Sequence, residues 1–321
     1  MTFRRILALF AGVLPASLIA VILFLAVYSW PAVRFNGLGF VTSTTWNLGN
    51  TYGTPITRDG VMLLPGAQYG ILFLIAGTLL STLIALLLAV PTGVGAAIFL
   101  AEAVPSSLRT TLSFLVELLA AVPSVVFGLW GYAVLIPLLG HHIFPVLARV
   151  LFWLPFFNGA TGSGYGLLTS GIVLSLMIVP LIAATLRDAI LAEPMVLREA
   201  AAALGATRFE TVWRVVLPGV RKILIGVTIL ATGRALGETM AVLMVSGNAL
   251  NYLPHRIYDP VSTMAAFIVS QLDSALQDPT GLAVRSLAEI AFVLAIISIV
   301  VNALARLLLL VWNNSQRSVV V

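Results

Sequence analysis

The chain has 321 residues, 60% of them hydrophobic and only 9% charged, with a net charge of +5. A soluble globule carries roughly 25% charged residues, so this composition excludes a domain covered by water on all sides. Several apolar runs exceed the roughly 18 residues that mark a membrane-spanning helix, and the class read from composition is an all-α polytopic membrane protein.

The basic residues are spread among connecting segments, the pattern of membrane topology rather than of nucleic-acid binding. Membrane lipid is therefore an expected partner and nucleic acid is not. The sequence has no cysteine, which removes disulfides, thiolate metal sites and iron–sulfur clusters. His141, His142 and His255 do not form a chelating face, so neither a metal nor a cofactor is expected.

Six spans are predicted, near 6–30, 69–100, 110–138, 166–190, 223–247 and 286–312. The first follows Arg4 and Arg5, exceeds the roughly 7–15 residues of a signal-peptide core, and reads as an uncleaved span. A polar, turn-rich outer segment follows at 31–68. The second span contains Pro91 and Gly93, which predict a kink or break. The third carries Glu117, which either hydrogen-bonds within the bundle or lines a path. The segment 139–165 contains "FPVLARVLFWLPFF", suited to the membrane interface. The sixth span begins near Arg285 and Glu289, expected as a solvated pair where snorkelling makes charge cheap. With a cytoplasmic N-terminus, eleven basic residues fall inside, five fall outside, and Arg234 is left within the membrane. That bias sets both termini in the cytoplasm.

The inside segment 191–222 reads "LAEPMVLREAAAALGATRFETVWRVVLPGVRK". It predicts two short helices. The first runs from Pro194 to Leu204, with Gly205 as a left-handed cap. Thr207 and Glu210 make a capping box for the second. Phe209, Val212, Trp213 and Val216 give it one apolar face, and Pro218 is expected to end it. Such a pair of helices either lies against the bilayer or docks a soluble partner. The residues by themselves leave both readings open.

Glu199-Ala200-Ala201, three residues, Gly205, eleven residues and Leu217-Pro218 match every position of the EAA loop of ABC-transporter permeases. The stretches "GRALGETMAVLMVSGN", "VPSVVFGLWGYAVLIPLL" and "YGILFLIAGTLLSTLIALLLAVPTGVGAAIFLAE" resemble the PstC family of phosphate-importer permeases. The related PstA permeases are less similar, because alanine-proline usually follows their glutamate. The resemblance implies a MetI-like type I importer fold with six transmembrane helices. It implies a first span and outer loop (1–68), a permease unit (69–312) and a cytoplasmic tail (313–321). It also implies an EAA loop seated in a cleft of an ATP-binding subunit. The implied partners are a second, PstA-like permease, two PstB-like ATP-binding subunits, a PstS-like extracytoplasmic phosphate-binding protein, and phosphate itself.

Within "GRALGETMAV", Arg234 and Glu238 stand four residues apart in the middle of an apolar run. On one helix they share a face and can neutralise one another. An arginine at mid-span nevertheless costs roughly 2.5–3.5 kcal/mol on insertion scales, a cost that usually marks a polar pathway. Gly233, Gly237 and Ala241 form a small-residue stripe on which another helix can pack. That would leave Arg234 and Glu238 facing a cavity, with Thr228 and Thr232 as nearby hydroxyls. A guanidinium binds two oxygens of a tetrahedral oxyanion at once, so Arg234 is the candidate anion contact. Glu238 either holds Arg234 between turnovers or accepts a hydrogen bond from a protonated phosphate oxygen.

The only lysine, Lys222, is not preceded by a P-loop, so ATP hydrolysis is expected in a partner and no enzymatic activity here. Three alternatives compete with the phosphate permease. They are a PstA-like subunit or a permease for sulfate, molybdate or tungstate, a membrane enzyme acting on lipid-linked substrates, and a proton-coupled secondary transporter using Glu238. The enzyme lacks a catalytic constellation, because Glu117, Glu238 and the two loop histidines are scattered, and the secondary transporter leaves the EAA loop unexplained.

Overall fold

The computed structural model describes residues 2–58 and 60–317 and is built almost wholly of helices. In chain order, α1 is Thr2–Asn36, α2 Leu72–Ala103, α3 Ser106–Ala121, α4 Ser124–Val150 and α5 Leu167–Ala192. Then come α6 Met195–Ala203, α7 Arg208–Leu236, α8 Met240–Val245, α9 Met264–Leu276 and α10 Leu282–Arg317. Among the described residues, six helices are long and apolar enough to cross a membrane: α1, α2, α4, α5, α7 and α10.

The centre is the seam between α2 and α5. Ala85, Ala89, Leu174, Ile178 and Ile182 are buried together there with Val227 and Ala231 of α7. Small residues let the helices approach closely. A Cβ on Gly171 would come 2.4 Å from Ile84 Cγ2, and one on Gly93 would come 2.8 Å from Ile182 Cγ2. Of the kink or break expected at Pro91 and Gly93, the break does not occur. The α-helix runs unbroken from Leu72 to Ile98 and widens only afterwards, in a π-helical turn at Phe99–Ala103. Proline removes one backbone donor; beside it the Thr92 hydroxyl bonds the Leu88 carbonyl at 2.6 Å, and Gly93 is committed to the α5 seam.

The third span is displaced from 110–138 to Ser124–Val150. Val122 is extended (φ −62°, ψ 130°) before Pro123, because the proline ring disfavours a helical predecessor. This separates α3 as an amphipathic helix with no buried residue. Residues 139–150 of the expected loop 139–165 are helix, and within "FPVLARVLFWLPFF" Phe144 is fully buried in the chain while Phe152 and Trp153 are 65% and 66% exposed.

The fifth span is also displaced, from 223–247 to Arg208–Leu236. Pro218 does not end a loop helix. The π-helical turn Val212–Val216 precedes it, and Pro218 falls in the first turn of the α-helix that continues to Leu236. Proline is tolerated where its missing N–H and its bulk fall at a turn already departing from α geometry. The sixth span begins earlier than expected, at Leu282, and its helix continues through 313–317, the first part of the expected tail; residues 318–321 lie outside the described residues.

The outer segment 31–68 is more ordered than its turn-rich sequence suggests. β1 (Trp46–Asn47) pairs antiparallel with β4 (Gln68–Tyr69), and β2 (Ile56–Arg58) with β3 (Val61–Leu63). Trp46 packs edge-on against Tyr69 and Phe267 with centroids 4.9 and 5.1 Å apart. Phe40, Trp46 and Tyr69 share one core with Phe73 of α2, Met264 and Phe267 of α9, and Leu287 of α10. Asn251, at φ +57°, binds both the N–H and the C=O of Trp46 through its amide. Burial, reinforced by the Asp278 carboxylate, pushes the Tyr69 phenol above its ordinary pKa.

Arg285 and Glu289 are not the solvated pair expected. Glu289 is 4% exposed and accepts a hydrogen bond of 2.8 Å from the Asn36 amide of α1. The seam of α1 with α10 closes over this carboxylate, which a linear reading of α10 alone does not reveal.

Candidate functional site: a surface knob and a helix break at the two ends of one helix

The knob is set by local chemistry. Glu193 is extended before Pro194, which ends α5 at Ala192 and starts α6. Gly205 then adopts φ +83°. Its N–H bonds the Ala202 carbonyl at 2.9 Å, and the Ala206 N–H bonds the Ala201 carbonyl at 3.0 Å. These are the two bonds of a Schellman cap. Thr207 and Glu210 form the expected reciprocal capping box: the Glu210 N–H bonds Thr207 Oγ1 at 3.3 Å and the Thr207 N–H bonds Glu210 Oε2 at 2.9 Å.

Arg198 anchors the knob. Its guanidinium donates to the carbonyls of Ile190 (2.7 Å) and Glu193 (2.9 Å) and to Glu102 Oε1 of α2 (3.0 Å). One planar fork thus ties α6 to the last turn of α5 and the end of α2. Beneath it, Arg187 is 6% exposed and bonds Glu117 Oε1 of α3 at 2.9 Å and Asp188 Oδ1 at 2.6 Å. Glu117 is therefore outside the spans and holds α3 to α5. Of the EAA positions, Glu199, Ala200 and Pro218 are on the surface, Ala201 is buried and Leu217 is half-buried.

The apolar face expected from Phe209, Val212, Trp213 and Val216 is split. Val212 and Val216 are buried, whereas the Phe209 and Trp213 rings sit together on the surface, 5.9 Å apart. The π-helical turn rephases the helix between these residues. A groove of about 500 Å³ lies between α6 and the start of α7, lined by Ala200, Leu204, Gly205, Glu210 and Arg214. Leu204 at its edge is 90% exposed.

At the other end of α7 the chain breaks. Arg234 occupies the last turn, on the surface of the chain. The helix stops at Leu236; the Gly237 N–H still reaches the Gly233 carbonyl at 3.3 Å, and α8 starts at Met240. Glu238 falls in the gap, so the shared helix face expected for Arg234 and Glu238 is absent. The two side chains form no ion pair among the described residues. Instead Glu238 Oε1 accepts from the Ala241 N–H at 3.3 Å, at the N-terminal end of α8, while Arg234 stands at the C-terminal end of α7. Each charge complements the orphan backbone groups beside it.

The small-residue stripe is also divided by the break. A Cβ on Gly233 would meet nothing closer than Asn302 at 3.7 Å, and Gly237 is exposed. Ala241 is fully buried on α8, against Gly128 of α4, where an added Cβ would come 3.0 Å from Ala241 Cα. Thr228 and Thr232 spend their hydroxyls on the Leu224 and Thr228 carbonyls, each at 2.8 Å. The Arg187 and Arg198 networks were not singled out from sequence. Their signal was an Arg-Asp pair near the inner end of a span and an arginine immediately before Glu199-Ala200-Ala201.

Residues 93–315 match the family of binding-protein-dependent transport system inner membrane components. The "Phosphate transport system permease protein PstC 1" of Mycobacterium tuberculosis is 49% identical over 278 residues, covering 86% of this chain and 82% of the relative. The "Phosphate transport system permease protein PstC" of Haemophilus influenzae is 38% identical over 311 residues, covering 96% and 92%. In fold, the chain is similar to a chain of a bacterial alginate ABC transporter in complex with an alginate-pentasaccharide-bound periplasmic protein. The TM-score is 0.59 at 17% identity, covering 94% of this chain and 93% of the other.

Proposed function

The chain belongs to the family of binding-protein-dependent inner-membrane transport components, among the PstC permeases, and from that premise we propose that it conducts phosphate as one permease subunit of an ATP-driven importer. Its path forms against a second, PstA-like permease. Of two PstB-like ATP-binding subunits, one docks on the 191–222 knob, and a PstS-like binding protein delivers phosphate from outside. In this reading 1–68 contributes a first span and outer loop and 69–312 the transport unit. With the knob assigned to the cytoplasm, an even number of spans, six, supports the reading that both termini are cytoplasmic.

The observation that carries the reading is Arg234: a guanidinium at the end of a membrane helix, on the chain's surface, with no ion-pair partner among the described residues. It offers a paired donor to an oxyanion passing along the face turned to the second permease. Glu238, having committed Oε1 to the Ala241 amide, retains Oε2 to accept from a protonated phosphate oxygen, a donor that sulfate lacks. Thr228 and Thr232 direct their protons to backbone, and Thr232 is buried about 200° around the helix from Arg234, so the proposed anion contact does not use them. Closure of the ATP-binding subunits would move the knob, and α7 carries that movement to Arg234.

The test is Arg234→Gln in the assembled transporter, reconstituted with its binding protein. Phosphate uptake is expected to fall at least about tenfold, the order of one lost charged hydrogen bond, with assembly and nucleotide binding kept. Wild-type flux refutes the assignment. Uptake in the presence of excess sulfate, molybdate or tungstate distinguishes phosphate from the other oxyanions.

A further inference from the structure

A cavity of about 410 Å³ lies where the end of α1 meets the start of α10, with β3 against its side. Trp30, Pro31 and Arg34 line it from α1, Met62 from β3, and Leu282 and Arg285 from α10. Arg34 is in the last turn of α1 and Arg285 in the first turn of α10. Both helices are spans, so the cavity opens at the boundary between hydrocarbon and water.

Among the described residues, no carboxylate pairs with the charge in this cavity: neither Arg34 nor Arg285 forms an ion pair. The nearby carboxylates are turned to other tasks. Asp278 accepts from the Thr280 N–H and the Ala283 N–H, each at 2.9 Å, at the head of α10. Glu289 is buried and bonded to Asn36.

Isolated interfacial arginines snorkel toward bulk headgroups without any site. Here two guanidiniums from different helices line one concave volume, and the 59%-exposed Trp30 sits beside it. Paired guanidiniums match the oxygens of a phosphate, and an interfacial indole suits the level between headgroup and acyl chain.

We propose that this cavity binds the phosphodiester headgroup of an anionic phospholipid, with Arg34 and Arg285 on the phosphate oxygens and Trp30 against the glycerol region. Inorganic phosphate shares the oxyanion chemistry. The membrane-boundary position on the α1–α10 seam selects the lipid. The site is separate from the helix break and uses α1, which precedes the matched family region 93–315.

The test is lipid retention by the purified, assembled transporter after detergent exchange, read by native mass spectrometry with phosphatidylglycerol and phosphatidylcholine offered together. Wild type is expected to retain phosphatidylglycerol preferentially. The Arg34→Gln/Arg285→Gln double variant is expected to lose about 30-fold in that affinity, the worth of two cationic contacts at a membrane surface. Arg34→Lys/Arg285→Lys, which keeps the charge, is expected to retain most of it, and Arg149→Gln to change nothing. Equal retention by wild type and the glutamine variant overturns the proposal. So does an equal loss in Arg149→Gln, which would reduce the effect to overall charge. Displacement of phosphatidylglycerol from wild type by millimolar inorganic phosphate would reassign the cavity to the free anion.

Discussion

Glu210 and Arg234 lie on one uninterrupted helix: the first caps its opening turn at the surface knob, and the second occupies its closing turn at the break. The helix has 29 residues, about 43 Å at 1.5 Å per residue. A displacement imposed on the knob therefore reaches the candidate anion contact without crossing a loop.

Gly226 lies about two thirds of the way along this helix, and a Cβ there would meet nothing within 4 Å. Gly226→Ala is expected to stabilise α7 by about 0.5–1 kcal/mol and to keep transport. Gly226→Pro interrupts the helix, at a cost of about 3 kcal/mol, and is expected to leave ATP hydrolysis in the complex while uncoupling it from uptake. Uptake per ATP hydrolysed in proteoliposomes is the measurement. Coupled transport in the proline variant would show that α7 is not the transmitting element.

Arg198 makes three hydrogen bonds to groups from two other elements. Arg198→Lys keeps the charge but not the planar fork. Both Arg198→Lys and Arg198→Gln are expected to lower uptake per ATP about tenfold, the scale of one lost hydrogen bond to a charged group. Near-wild-type coupling in the lysine variant would mean that charge alone positions α6.

Glu238 accepts a backbone amide at the start of α8. Glu238→Gln preserves an acceptor oxygen, whereas Glu238→Ala removes it at a cost of about 1 kcal/mol, as for other caps. The thermal midpoint of the solubilised complex is expected to fall for alanine and to hold for glutamine. Discrimination of phosphate from sulfate is expected to weaken in both. Unchanged discrimination in a transporting Glu238→Gln protein removes the carboxylate from selectivity.

Two glycine substitutions separate packing within the chain from packing against a partner. A Cβ on Gly77 would come 2.2 Å from the Ser262 carbonyl oxygen, so Gly77→Ala is expected to cost about 1–3 kcal/mol through forced backbone movement. Gly233 has room for a methyl group within this chain. Loss of function or assembly in Gly233→Ala would therefore report contact with the second permease. Isolated-chain stability and co-purification are the two readouts.

The buried member of the Arg187 cluster is the cation; the Glu117 and Asp188 side chains are 55% and 66% exposed. Replacing both acids strands a buried charge. Glu117→Gln/Asp188→Asn is expected to cost about 2 kcal/mol, below the roughly 3–5 kcal/mol of a wholly buried pair because water screens the carboxylates. Arg187→Met releases two carboxylates that water already solvates and is expected to cost less. Thermal melting of the two variants checks the order.

Local rules were legible along the chain. Pro194, Gly205 and the Thr207–Glu210 box specify a helix, a left-handed turn and a second helix within a few residues of one another, and such caps need no distant partner. The same rules misjudged Pro218, and at Pro91 they allowed a break that does not occur. Whether a proline breaks a helix depends on what else satisfies or crowds the neighbouring turn: the α5 seam in one case and a π-helical turn in the other.

The amino-acid sequence by itself determined the membrane class, the number of spans and the knob, because hydrophobic length and capping are properties of neighbouring residues. Only the tertiary structure decided where charges found partners: Arg187 with Glu117 seventy positions away, Asn36 with Glu289, and Arg234 apart from Glu238 despite their spacing. A charge at membrane depth is stabilised by whatever donor or acceptor lies within about 3 Å, and that neighbour is supplied by helix packing and helix ends rather than by distance along the chain.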